Sequence, residues 1–222
     1  MSYWRSAGED ETMQDEHGFI WKAMLATVDT DLSGKKVLDA GCNRGGFLRM
    51  LVDAAGIAEG YGYDPASAAV EDARRLAGAR PLNFEVASTV PAGWTGFDVA
   101  FSHEVLYLIR DLAEHATAVL QALRPGGLYF AVMGMHSGSA LMRRWHEENA
   151  DELNLPPMYD LDAVATTFER AGFDVSVARL KLGFVPVSAH RDGHGHREDL
   201  LEWLDYYSAA KVLFRFARPA SS

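Results

Sequence analysis

The chain has 222 residues, 48% of them apolar and 23% charged, enough for one globular domain with a lid or insertion and hardly for two cores. That balance excludes a chain that is disordered throughout. With 21 Lys and Arg against 31 Asp and Glu the formal net charge is −10, and no basic face is concentrated against it, so no nucleic-acid partner is expected.

The first stretch carries Glu9, Asp10, Glu11, Asp15 and Glu16 ahead of Phe19-Ile20-Trp21 and Met24-Leu25. Acids before an apolar face suit the amino end of a helix, where the dipole favours negative charge. The same acidity is unlike a signal peptide. Residues 1–34 therefore read as a helical cap or lid, and 35–222 as the body of the domain. Strands are predicted at 36–40, 59–63, 82–87, 97–101 and 128–133, with a later pair at 173–179 and 211–218.

Between the early strands, Phe47, Leu48, Leu51, Val52 and Ala55 fall on one helical face, as do Leu112, Ala116, Val119, Leu120 and Leu123. Leu161, Val164, Ala165 and Phe168 form another face, after the N-cap candidate Asp160 and before Gly172. Strand then helix, repeated, predicts an α/β fold with a doubly wound, Rossmann-like sheet that is mostly parallel. The last two strands break the rhythm. Segments 134–158 and 180–210 read as insertions on the side of the sheet where such folds bind ligands, and together they are expected to form an acceptor pocket. No apolar run approaches a membrane span. Cys42 is the only cysteine, so there is no internal disulfide framework and a cytoplasmic setting is expected. Homo-oligomerisation stays open.

The stretch Val37-Leu38-Asp39-Ala40-Gly41-Cys42-Asn43-Arg44-Gly45-Gly46-Phe47 carries the most chemistry. A buried strand ends in an acid, turns through glycines and opens a helix whose free N–H groups face a ligand space. A structural turn with glycines for packing is the alternative. The next strand ends at Tyr63-Asp64-Pro65, 25 positions after Asp39. An acid there accepts the hydroxyls of a ribose, or else caps the following helix with Pro65 at its start. Asp39 beside a pyrophosphate would be repulsive, so the arrangement favours a nucleoside ligand that carries positive charge and no phosphate.

On these residues the sequence resembles the class I S-adenosylmethionine-dependent methyltransferases, especially those acting on small molecules. The likeness continues through 97–107, through Leu123-Arg124-Pro125-Gly126-Gly127-Leu128 into the fifth strand, through Ala171-Gly172-Phe173 and into the last strand. The resemblance implies a seven-stranded mixed sheet with an antiparallel last strand, and S-adenosylmethionine as cofactor. It implies that Asp39 and the backbone of Gly41, Cys42, Asn43 and Gly45 lie near the methionine part, and that Asp64 and Pro65 lie at the ribose. Ala87 and Ser88 would meet the adenine, and Ser102 and His103 would border the sulfonium. The sequence departs from the family at Asn43, where glycine is usual, and at Ser88, where an acid is usual.

Transfer would be an in-line displacement at an activated methyl carbon, so holding the acceptor atom close and aligned matters most. His103, and after it His136, are the candidate general bases, with packing or backbone hydrogen bonding as the alternative. Tyr107, His136 and Trp145 are candidates for the acceptor pocket. Where the fourth strand ends, the sequence has Phe101-Ser102-His103-Glu104 and not the Asn-Pro-Pro-Tyr type of set that holds base nitrogens in some relatives. A small organic acceptor, methylated at O, N or C, is therefore expected. Arg143-Arg144 is the one local basic feature that points toward RNA instead. No metal site is expected, although His190, His194 and His196 leave metal binding open in a glycine-rich loop. Two rival classes remain: a nicotinamide oxidoreductase, and a module that binds the cofactor without catalysis.

Overall fold

In the computed structural model, residues 7–185, 187 and 199–220 are described, with 7–16 as backbone alone. Seven strands make one sheet in the order β3-β2-β1-β4-β5-β7-β6. They are β1 (Lys36–Ala40), β2 (Glu59–Asp64), β3 (Leu82–Val86), β4 (Phe97–His103), β5 (Leu123–Met133), β6 (Asp174–Arg179) and β7 (Val212–Ala217). β1 pairs in parallel with β2 and β4, β2 with β3, and β4 with β5, whereas β7 runs antiparallel to both β5 and β6. The carboxyl ends of β1, β2, β4, β5 and β6 and the amino end of β7 therefore share one edge. The expected mixed sheet with an antiparallel last strand is the observed one.

The helices are α1 (Ala7–Thr27), α2 (Gly46–Met50), α3 (Ser67–Ala77), α4 (Leu112–Ala122), α5 (Ala140–Leu153), α6 (Leu161–Ala171) and α7 (Leu200–Asp205). α2 and α7 each run on as one π-helical turn, Leu51–Ala55 and Tyr206–Ala210. Asp160 caps α6 as the sequence predicts, its carboxylate accepting from Ala163 N at 2.6 Å. Gly172 ends that helix in the left-handed region.

Alternation along the strands sends side chains to two cores. On one face Val37, Phe101, Phe130 and Val132 pack with Ile20 and Met24 of α1 and Phe47 and Leu48 of α2. On the other, Leu38, Tyr129, Phe214 and Phe216 pack with Val119 of α4 and Val164 and Phe168 of α6. The rings of Phe168 and Phe216 stack with centroids 3.8 Å apart. Burial of these side chains, at roughly 1.5–3 kcal/mol each, holds the helices on the sheet.

Two strand boundaries differ from the sequence reading by more than one residue. β4 extends to His103. β5 begins at Leu123, which pairs with Phe97, and its register then shifts so that Leu128 faces Val99. Arg124-Pro125-Gly126-Gly127 bulges out between them, and the Arg124 guanidinium meets Asp98 at 2.6 Å. The histidines His190, His194 and His196 lie outside the described residues. Among the described residues no helix is long and apolar enough to cross a membrane.

Candidate functional site

Asp39, Asp64 and His103 end three neighbouring strands, and alternation places all three on the face that α1 and α2 cover. Asp39 is buried. Burial, with the charge of Asp64 adding to it, pushes its carboxyl up to about 8. Burial raises Asp64 as well, opposed by two backbone donors: Ala66 N at 2.9 Å on one oxygen and Asn43 N at 3.0 Å on the other. Asp64 thus pins the loop after β1 to the end of β2, and each oxygen keeps a lone pair to spare. Pro65 is exposed beyond it, and α3 starts only at Ser67, so Asp64 makes a local turn and does not cap the helix itself.

Within that loop Asn43 adopts φ 46, and its buried Oδ1 has no partner among the described residues. Gly41 has φ +76, and a Cβ there would lie 2.5 Å from Val105 Cγ2. This glycine is demanded by backbone conformation and close packing, as the structural reading of the turn had it. The Cys42 thiol is buried, which raises its pKa well above the ordinary value, and it leans on Asn43 O at 3.6 Å.

His103 Nδ1 accepts a hydrogen bond from Trp21 Nε1 of α1 at 3.3 Å, while its buried Nε2 has no partner. An acceptor at Nδ1 places the proton of the neutral ring on Nε2. Burial, helped by the Lys211 charge, lowers His103 to about 3. The ring is therefore neutral and offers an N–H, an arrangement that disfavours a base role. His17 of α1 meets it edge-on at 4.8 Å and is likewise held well below its usual pKa by burial, with His103 and Lys211 adding.

Ser102 goes the other way. Its hydroxyl shares a 2.7 Å hydrogen bond with Tyr129, whose OH also meets His115 Nε2 at 3.0 Å in the opposite core. Successive residues of a strand cannot face one ligand with both side chains, so Ser102 does not join His103. Ala87 and the exposed Ser88 follow β3, where Ala87 N donates to Asp64 O at 3.1 Å.

Beside His103 lies a polar cluster that the sequence reading missed. Glu104, in the left-handed region at φ 56, is ion-paired with the buried Lys211 and accepts Gly134 N at 3.0 Å. Lys211 Nζ also reaches Tyr206 OH at 3.0 Å. Glu104 and Lys211 are 107 positions apart, and no local pattern links them.

Segments 134–158 and 180–210 do meet. Ser139 and Leu141 from the first, Glu202 and Tyr206 from the second, and Val177 and Arg179 of β6 line a groove of about 670 Å³. His136 lines it too, but its Nε2 donates to Ala210 O at 2.7 Å and its Nδ1 accepts Gly138 N at 3.2 Å. With both nitrogens engaged, His136 serves the backbone. Tyr107, packed against the opposite core, and Trp145 of α5 are not among the lining residues.

Residues 12–176 match a family model described as a methyltransferase domain. The tRNA U34 carboxymethyltransferase of Idiomarina loihiensis is 30% identical over 166 residues, covering 71% of this chain and 51% of that protein. The chain thus spans about half the length of the curated relatives it matches. Among solved structures, a chain in complex with the Haloferax volcanii Trm112 methyltransferase activator superposes with a TM-score of 0.82 at 22% identity, over 96% of this chain and 95% of that one. An S-adenosylmethionine dependent methyltransferase from Mesorhizobium loti gives 0.68 at 20%, over 92% and 100%.

The relatives overturn the expectation of a small-molecule acceptor with no nucleic-acid partner, because tRNA is the substrate their names carry. Net charge is a sum over the whole surface, and it does not report what a single groove admits.

Proposed function

Because the chain belongs to the methyltransferase-domain family and is an S-adenosylmethionine-dependent methyltransferase, we propose that it methylates a nucleoside of tRNA presented to the groove between α5 and α7. The observation that carries this reading is the 30% identity, over 71% of the chain, to a tRNA-modifying enzyme. Arg143 and Arg144 add support, since they lie on α5, whose Ala140 and Leu141 line the groove, and Arg144 pairs with the lining Glu202, and phosphates need a local cation.

The residues at the sheet edge suit the cofactor. Asn43 Oδ1 and His103 Nε2 are buried polar atoms without partners, and unmatched groups of that kind are costly unless a ligand meets them. Asp39 and Asp64 face each other with raised pKa values, and a cationic ligand relieves that repulsion. In this proposal Asp39 and the backbone at Gly41 to Asn43 hold the methionine part, and Asp64 accepts the ribose hydroxyls. Ala87 and Ser88 lie at the adenine, and the His103 N–H borders the sulfur. When bound, the cofactor supplies a methyl carbon already activated by positive sulfur. The chain's own residues position the acceptor and exclude water. α1 would be the lid, since Trp21 reaches His103 from it.

Incubation with methyl-labelled S-adenosylmethionine and total tRNA, followed by nuclease digestion, tests the proposal. Label in one nucleoside of the digest is the expected result. Label that stays out of RNA while entering another class of acceptor would sink it.

A further inference from the structure

The relatives' name poses a question about the donor. A carboxymethyl group differs from methyl by a carboxylate one carbon beyond the reacting carbon. In a site shielded from water such a carboxylate needs a cation beside it, because burying it unpaired forfeits its hydration with nothing in return. The groups around His103 decide whether one is offered.

His17 and His103 are both held neutral by burial. Lys211 is the buried ammonium there, only 3% exposed, and it is committed. It pairs with Glu104, donates to Tyr206 OH at 3.0 Å, and lies over the rings of Tyr206 and Tyr207 at 4.6 and 5.2 Å. Glu104 is committed too, its second oxygen taking Gly134 N. A Cβ at Gly134 would fall 2.5 Å from Tyr206 OH and 2.9 Å from Lys211 Nζ, so the tips of the cluster pack directly over this glycine. The left-handed backbone at Glu104 is strained for a residue with a Cβ, and the chain keeps it where it delivers the carboxylate to Lys211. Asp39 and Asp64 lie on the same face. Among the described residues this edge holds two buried cations, each already paired, Lys211 with Glu104 and Arg44 with Asp72 at 3.0 Å, and an excess of carboxyl groups.

We infer that Glu104 sets donor specificity: by neutralising Lys211 it restricts the chain to a donor with an uncharged transferable methyl and excludes one carrying a carboxylate there. The inference rests on the cofactor placement proposed above and is independent of the acceptor. Glu104 acts through Lys211, so it is a positioning residue and not a catalytic one.

The test is titration calorimetry of the full chain with S-adenosylmethionine and with its analogue carboxylated on the transferable carbon. The wild-type chain should bind the plain donor and discriminate against the carboxylated one. Glu104→Gln leaves Lys211 without its counter-ion, and the preference should move toward the carboxylated donor by roughly tenfold or more. The double variant Glu104→Gln with Lys211→Met removes both charges and should return the preference to the plain donor, which separates a charge effect from loosened packing. A wild-type chain that binds both donors alike overturns the inference, even if Glu104→Gln does not fold. So does a Glu104→Gln chain that folds with an unchanged ratio. Because no acceptor is present, failure here is distinct from failure to label tRNA.

Discussion

At Asp39 the carboxyl sits at about 8 because burial, and then the charge of Asp64, penalise its ionised form. The sign of the consequence follows from linkage. The folded chain binds this proton more tightly than the unfolded chain, so the stability it confers is full below the ordinary carboxylate range and is lost as pH rises toward 8. A cationic ligand favours the carboxylate and must lower that pKa, so binding expels the proton near neutral pH. The ratio of wild-type to Asp39→Asn affinity for S-adenosylmethionine should therefore climb between pH 6 and 8, by up to roughly tenfold per unit, and level off above. Taking the ratio cancels the titration of the ligand's own amino group. Calorimetry at several pH values reads it, and a flat ratio would mean that Asp39 does not meet the positive charge. His103, held near 3, should add no titration in the same window.

The turn between β1 and α2 carries the fold and, on the proposed cofactor placement, the site as well. Gly41 N and Cys42 N both donate to Tyr63 O, at 2.9 and 3.1 Å, while Asn43 N donates to Asp64, so the turn is bonded to the end of β2 along its length. Gly41→Ala forces a Cβ into Val105 at φ +76. The substitution should cost about 1–3 kcal/mol of stability and weaken cofactor binding with it, measured as a lower Tm and a higher Kd. An unchanged Tm would show that the loop has room to move. This turn was legible from glycine spacing and a strand-terminal acid, as were the α6 caps, because each rests on neighbours in sequence. Ser102 was misplaced where the alternation rule, applied to Ser102 and His103 together, would have set it in the opposite core. The Trp21–His103 contact and the Glu104–Lys211 pair, 82 and 107 positions apart, were not legible at all. They depend on how α1 and β7 close over the end of β4, which packing decides and periodicity does not report.

Over the whole molecule, a charge of −10 and the proposed tRNA acceptor pull against each other. Long-range repulsion slows the approach of a polyanion and grows as salt is removed. Counter-ion release from phosphates works in the opposite direction, and in proportion to the number of cation contacts. On the described surface near the groove, Arg143 is tied to Ser137 O and Arg144 is paired with Glu202, so few phosphates can be held there without giving something up. Affinity must then come chiefly from the nucleoside in the groove, through stacking and hydrogen bonds that salt hardly touches. The expected result is a shallow dependence of log Kd for tRNA on log salt, with a slope of about three or less, and a reduction of about one on Arg143→Ala. Filter binding from 50 to 300 mM salt, as an approximate working range, measures both. A steep slope would place the phosphate contacts outside the described residues. A slope that Arg143→Ala leaves alone would remove α5 from the RNA path and leave Arg179, which lines the groove, as the cation there.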